Sequence, residues 1–112
     1  MNTCVFCGIA SGKIPARIVY EDDCVVAIHD INPQAPVHIL IIPRRHLVSV
    51  LETDDEVLLG RMVAAGARIA RTLGVAERGF RLVLNTNRDA GQSVDHLHMH
   101  LLAGRVLGWP PG

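Results

Sequence analysis

Residues 96–101, His96-Leu97-His98-Met99-His100-Leu101, alternate an imidazole with an aliphatic side chain. Only one backbone conformation turns that alternation into two coherent faces. Successive side chains of a strand point to opposite sides, so a strand places three imidazoles on one face and Leu97, Met99 and Leu101 on the other. Wound as a helix, the same run would carry His98 away from His96 and His100 and bury no continuous stripe. The run is therefore read as a strand with its aliphatic trio toward a core. Three imidazoles on the opposite face repel one another when protonated and cost desolvation when buried, so their presence calls for a function.

The rest of the chain supplies partners for that strand. Ile18-Val19-Tyr20-Glu21 and Cys24-Val25-Val26-Ala27-Ile28 flank Asp22-Asp23 and predict a hairpin. Asn32-Pro33-Gln34-Ala35-Pro36 breaks the chain, after which His38-Ile39-Leu40-Ile41-Ile42 predicts a central strand ended by Pro43. Thr53-Asp54-Asp55-Glu56 has the form of a capping box, followed by Leu58, Met62, Ala65, Ile69 and Leu73 at helical spacing, with Gly74 as the stop. Arg81-Leu82-Val83-Leu84-Asn85 predicts a further strand, and after a turn around Asp89-Ala90-Gly91-Gln92 the last strand spans residues 97–102. Short turns between consecutive strands predict an antiparallel sheet with the helix over one face, the α+β class. Hydrophobic density stays even, with no repeat or linker, so residues 1–112 form one domain.

Composition narrows the function classes. Eleven basic residues balance eleven acidic ones, so no positive field exists to hold DNA or RNA along a surface. No apolar run approaches the roughly 20 residues that cross a bilayer, and Met1-Asn2-Thr3-Cys4 does not open a secretion signal, so the cytoplasm is expected and a membrane is not. Three cysteines cannot all pair; Cys4 and Cys7 stand at a spacing used more for metal than for a structural disulfide, while Cys24 lies in an apolar segment and is read as packing. Gly91-Gln92-Ser93 offers unobstructed backbone N–H groups and a hydroxyl, which suit phosphoryl oxygens.

His-x-His-x-His followed by apolar residues resembles the histidine triad (HIT) superfamily of nucleotide hydrolases and transferases. Ile14-Pro15-Ala16, Glu21-Asp22-Asp23, His29-Asp30-Ile31, Pro33-Gln34-Ala35-Pro36, Ile42-Pro43, Gly91-Gln92-Ser93 and the closing Gly108-Trp109-Pro110-Pro111-Gly112 extend the likeness over nearly the whole chain. The Trp-Pro-Pro-Gly ending is similar to the Hint branch, the purine nucleoside phosphoramidases. The resemblance implies a five-stranded antiparallel sheet with one main helix and a short N-terminal helix, joined into ten strands across a homodimer. It implies that residues 105–112 form a tail reaching the active-site region, with Trp109 at the partner's site, and that loss of the residues after Leu107 changes leaving-group specificity.

For the chemistry, the resemblance makes His98 the nucleophile, forming a covalent nucleotidyl-imidazole that water hydrolyses. A neutral imidazole suits that role if its other nitrogen keeps its proton on a fixed acceptor, which the backbone can supply. By the same resemblance His100 contacts phosphate oxygens or the leaving group, Ser93 hydrogen-bonds near the scissile bond, and His38 orients the triad or relays a proton. Asp30 accepts from the ribose hydroxyls; Val5, Phe6, Ile9, Ile28 and Ile31 receive the purine; His29, Asn85, Gly91 and Gln92 complete the nucleotide site. Cys4, Cys7, His46 and His96 supply two sulfurs and two imidazoles, a set that suits tetrahedral zinc and that some members of the superfamily have. Such a zinc is structural, since four protein ligands leave no open position, and it commits His96, leaving His98 and His100 for chemistry.

The substrate implied is an adenosine 5′-phosphoramidate or a related purine nucleoside monophosphate derivative. A dinucleoside polyphosphate hydrolase or nucleotidylyl transferase would use the same nucleophile, and the Hint-like tail argues against it. A regulatory module that senses a nucleotide or docks to a partner, with incidental turnover, would use the same residues. Asp95, where an aromatic residue is common, and Asn87-Arg88 in the turn before Gly91 depart from the Hint pattern and bear on leaving-group preference.

Overall fold

A computed structural model describes residues 3–112; Met1 and Asn2, where the reading of no secretion signal begins, lie outside the described residues. The chain runs α1 (Val5–Ala10), β1 (Ile18–Glu21), β2 (Val25–His29), β3 (Val37–Pro43), α2 (Glu56–Thr72), β4 (Phe80–Val83) and β5 (Met99–Ala103), with single 3-10 turns at Val50–Glu52 and Arg88–Ala90. The strands form one antiparallel sheet in the order β1-β2-β3-β5-β4. This is the α+β, five-stranded HIT architecture expected from the sequence, with β3 central.

The two faces of the sheet bury different things. Val25, Ala27, Ile39, Ile41, Met99, Leu101 and Ala103 point to α2 and pack against its Leu58, Met62, Ala65, Ile69 and Ala70. At roughly 1.5–3 kcal/mol for each large apolar side chain buried, this layer is the main source of stability. On the other face Val26, Ile28, Leu40 and Ile42 meet Phe6 and Ile9 of the short α1. Because α1 is only six residues long, it covers part of this face, and His38, His98 and His100 occupy the neighbouring stretch.

Local chemistry explains the element ends. The Asp22 carboxylate accepts from the N–H groups of Cys24 (2.8 Å) and Val25 (2.9 Å), closing the β1–β2 turn. The capping box is corrected: Asp55, not Thr53, is the N-cap of α2, accepting from Leu58 N, while Thr53 Oγ1 accepts from Asp55 N one turn earlier. At the far end Gly74, at φ 74°, donates to the Arg71 carbonyl and Val75 to that of Ala70, a Schellman stop.

Two strand boundaries also differ from expectation. β4 ends at Val83, so Leu84 and Asn85 fall in the following loop. The ladder of β5 begins at Met99, opposite Ile41, rather than at Leu97. Continuing that register would bring Leu97 against Pro43, which has no N–H to donate. The Pro43 carbonyl instead accepts from His96 Nε2 (2.8 Å), and Leu97 N donates to the Leu47 carbonyl (2.6 Å). The alternation survives without the ladder: Leu97 stays in the α2 core while His96 and His98 pack edge-on against Phe6, at ring-centroid distances of 5.9 and 5.1 Å.

Candidate active site

A backbone contact decides the state of His98. Its Nδ1 lies 2.7 Å from the His96 carbonyl, an oxygen that only accepts, so in the neutral ring the proton sits on Nδ1 and the lone pair on Nε2. The ring is 6% exposed. Among the described residues no side-chain nitrogen or oxygen that is shut from solvent lacks a partner. Nε2 of His98 has no protein partner, so that lone pair is the open edge of an otherwise buried ring.

His100 is set by a longer chain of contacts. The Gln34 N–H donates to His38 Nδ1 at 3.0 Å, so the His38 proton resides on Nε2. That Nε2 lies 2.9 Å from His100 Nδ1 and 3.4 Å from Asp30 Oδ2. It donates to His100 Nδ1, which leaves the His100 proton on Nε2. The contact arises because His38 and His100 share a face on adjacent strands, with Leu40 directly opposite His100 and His38 opposite Leu102. Burial, reinforced by neighbouring His98 and His38, holds the His100 imidazole down to about 4, and burial also lowers His38 against the pull of Asp30. Both are neutral at pH 7. Asp30, His38 and His100 have donor atoms close enough for a cation, but His38 Nε2 carries a proton as long as the Gln34 N–H occupies Nδ1. The trio is a hydrogen-bond relay.

The face therefore presents two imidazoles 5.1 Å apart between ring centroids, one offering a lone pair at Nε2 and the other an N–H at Nε2. Chemically, this arrangement sets a lone pair able to attack an electrophile beside a hydrogen-bond donor.

A second cluster lies at the other end of the run. Cys4 Sγ stands 3.3 Å and Cys7 Sγ 3.5 Å from His96 Nδ1; Cys7 Sγ is 3.2 Å from His46 Nδ1, and the two Nδ1 atoms are 3.1 Å apart. Bond lengths of about 2.0–2.3 Å around a tetrahedral zinc imply ligand separations of roughly 3.3–3.8 Å. His96 donates Nε2–H to Pro43, which turns the Nδ1 lone pair toward the sulfurs. The four donors fit a tetrahedral ion without rearrangement of the backbone. Cys4 also caps α1, accepting from Cys7 N, so the same sulfur ties helix and cluster together.

The remaining residues named from the sequence lie in different settings. Phe6 and Ile9 of α1 and Ile28 of β2 are buried against one another, and Phe6 is the one that touches His98. Val5 and Ile31 are exposed, Ile31 fully, and His29 is half-buried at the end of β2. Asp30 is partly engaged: Oδ1 accepts from Asn32 N at 2.8 Å. In the loop after β4, Gly91 takes φ 78°, a left-handed conformation suited to glycine. The Gln92 side chain is fully used within the protein, accepting from Asn87 N and donating to the carbonyls of Val48 and Val94. The N–H groups of Gly91 and Gln92 are spent as well, donating to the carbonyls of Arg88 (3.0 Å) and Asn87 (3.1 Å), which corrects the expectation of a run of unobstructed donors and leaves only that of Ser93 without a bond to the described residues. Ser93 lines a cleft of about 540 Å³ with Cys4, His46, Val48 and Asp95. Asn85 is half-buried just beyond β4. Trp109 is 82% exposed, and the tail is held by Arg81 of β4, whose guanidinium donates to the Gly108 carbonyl at 2.8 Å. Sequence reasoning missed Gln34 and Gln92 as organisers of their loops: the Gln34 main chain joins His38 to the distant Arg105, and the Gln92 side chain joins its own turn to the distant Val48 carbonyl.

This fold, with its cluster of histidines on one face of an antiparallel sheet, defines an α+β enzyme. Residues 11–107 match the HIT domain, and the chain belongs to the HIT family. The purine nucleoside phosphoramidase of Escherichia coli strain K12 is 52% identical over 106 residues, covering 93% of this chain and 89% of that protein. A HIT family hydrolase from Legionella pneumophila Philadelphia 1 superposes with a TM-score of 0.95 at 46% identity, covering 98% of this chain and 100% of that one. A zinc-bound histidine triad family protein from Mycobacterium smegmatis gives a TM-score of 0.82 at 38% identity, covering 92% and 76%.

Proposed function

We propose that this protein is a Hint-type hydrolase that cleaves purine nucleoside 5′-phosphoramidates through a covalent intermediate on His98. The observation that carries the reading is the pairing of an open Nε2 lone pair on His98, fixed by the His96 carbonyl, with an Nε2–H on His100. His98 Nε2 attacks phosphorus as the bond to the leaving nitrogen breaks, and the nitrogen departs as an amine with a proton drawn from water. The His98 imidazolium keeps its Nδ1 proton on the His96 carbonyl. His100 donates to a phosphoryl oxygen, where negative charge must be held. Water then attacks phosphorus, releasing the nucleoside monophosphate and a proton and restoring neutral His98.

Ser93, through its hydroxyl and its N–H, completes the phosphate side, with Gly91 and Gln92 shaping the turn that carries it, and Asp30 accepts from the ribose. Phe6, Ile9, Ile28, Ile31 and His29 border the base, with Asn85 toward the phosphate. Zinc on Cys4, Cys7, His46 and His96 is structural: it pins α1, and with it Phe6, beside His98, and takes part in no step. β4 is an edge strand, and Val57 and Val63 of α2 and Leu84 are exposed; pairing of β4 with a second copy covers that edge in a homodimer of ten strands and lets Trp109 of the tail reach the partner's site. Among the described residues no helix is long and apolar enough to cross a membrane, in keeping with a cytoplasmic enzyme.

The test is a comparison of substrates. Adenosine 5′-phosphoramidate is expected to release AMP with a kcat/KM at least about 100-fold above that for a dinucleoside polyphosphate, a difference of roughly 2.7 kcal/mol in transition-state binding. Equal values would favour the polyphosphate hydrolase. The same assay on a chain ending at Leu107 reads the tail: unchanged relative rates across leaving groups would remove it from the site.

A further inference from the structure

We infer that Arg105 is a positioning residue for the histidines: by anchoring the Gln34 carbonyl it holds the Gln34 N–H on His38 Nδ1 and so fixes which nitrogen of His100 carries the proton. The functional half of this inference rests on the reading above; the tautomer half does not.

The two tautomers of a neutral imidazole differ little in intrinsic energy, so an outside partner decides between them. For His38 the closer partner is the Gln34 N–H at 3.0 Å on Nδ1, in a loop where Pro33 and Pro36 have no N–H to give, with the Asp30 carboxylate 3.4 Å from Nε2 favouring the same tautomer more weakly. Gln34 is itself exposed, and its position depends on what grips the loop. Arg105 Nη2 and Nε donate to the Gln34 carbonyl at 3.1 and 3.3 Å, a two-pronged contact that a planar guanidinium makes without rearrangement. Its third bond, from Nη1 at 3.0 Å, goes to the Val106 carbonyl. Among the described residues no carboxylate lies within ion-pair distance of Arg105; the side chain is spent on backbone.

A second contact brings the chain after β5 over the same loop. Gly104 has φ 93°, and a Cβ built there would stand 2.8 Å from Pro36 Cβ. Glycine permits that approach, which puts Arg105 within reach of Gln34. If the grip is lost, the loop relaxes and His38 is free to move its proton to Nδ1. His38 Nε2 then accepts from His100 Nδ1, and His100 turns a lone pair, rather than an N–H, toward the phosphate. The nucleophile would be intact and its donor partner gone.

Long-range proton–nitrogen NMR on the full chain without nucleotide reads the tautomers directly. The native protein is expected to show His38 and His100 protonated at Nε2, Arg105→Ala a mixture, and Arg105→Lys, which keeps one donor, an intermediate state. With adenosine 5′-phosphoramidate, Arg105→Ala is expected to lower kcat about tenfold while KM stays within about twofold, as for a contact made only in the transition state. Arg105 is exposed, so an unchanged far-ultraviolet circular dichroism spectrum accompanies these effects. Nitrogen shifts in Arg105→Ala identical to native, or a native His38 protonated at Nδ1, would overturn the inference. A native protein with the stated tautomers and no turnover would count against the phosphoramidase reading and leave the NMR arm to decide this one.

Discussion

His98→Ala is expected to lower AMP release from an adenosine phosphoramidate by at least about a thousandfold while leaving the protein folded. The two effects separate because the side chain contributes differently to each. For catalysis the imidazole is the attacking group, and removing a nucleophile forfeits the covalent route; losses of this kind exceed those from any single hydrogen-bond donor. For stability the ring packs on Phe6 and satisfies the His96 carbonyl. Its removal leaves a cavity and an unpaired acceptor beside the open edge of the site, costing on the order of 1–3 kcal/mol, within the margin of a domain this size. His100→Ala, which removes a donor and keeps the nucleophile, should retain more activity. The check is kcat/KM at a temperature where circular dichroism shows each variant fully folded; a His98→Ala rate within tenfold of native would exclude nucleophilic catalysis by this residue.

Removal of the proposed zinc, by chelation or by Cys4→Ser, is expected to lower the melting temperature by at least about 10 °C. The four donors come from α1, from the segment after β3 and from the start of the triad, positions 4, 7, 46 and 96. α1 is too short to stand alone; beyond its metal ligands it is held chiefly by Phe6 and Ile9 and by Arg44, which donates to the Ala10 carbonyl at 2.8 Å. Without the ion, only hydrogen bonds among the two Nδ1 atoms, 3.1 Å apart, and the two sulfurs remain in the cluster to tie α1 to His46 and His96. An ion worth a few kcal/mol shifts melting by roughly 4–8 °C for each kcal/mol in a domain of about 100 residues. Activity should fall only several-fold, through Phe6, because no step uses the metal. Calorimetry with elemental analysis checks this: about one zinc per chain and the stated shift are expected, whereas a metal-free preparation with native melting would remove the ion from the account.

How much of this was legible in the sequence depends on the range of the contacts. Alternation from His96 to Leu101 was enough to separate the imidazole face from the core, because that separation is a local property of extended backbone. It could not show where the ladder begins, since that depends on Pro43, 56 residues before Met99, having no N–H to offer. The periodicity of Leu58, Met62, Ala65 and Ile69 located α2, but the capping box read from Thr53 to Glu56 opened the helix too early, since the cap is Asp55 and Glu56 is already the first helical residue. Cys4, Cys7, His46 and His96 were named from ligand type and family resemblance, and the fold brings all four together. The protonation pattern was not legible at all. It rests on the Gln34 N–H and the His96 carbonyl, main-chain groups that every residue has and whose direction only the fold decides.

The central claim is that His98 Nε2 bonds to phosphorus. The most direct measurement is rapid-quench intact-mass analysis of the native protein with excess adenosine phosphoramidate, followed by peptide mapping. A transient adduct with the mass of an adenylyl group on the peptide containing His98, formed and lost at rates that account for turnover and absent from His98→Ala, is the result predicted. Full turnover with no adduct at any time, or an adduct on another residue, would contradict it.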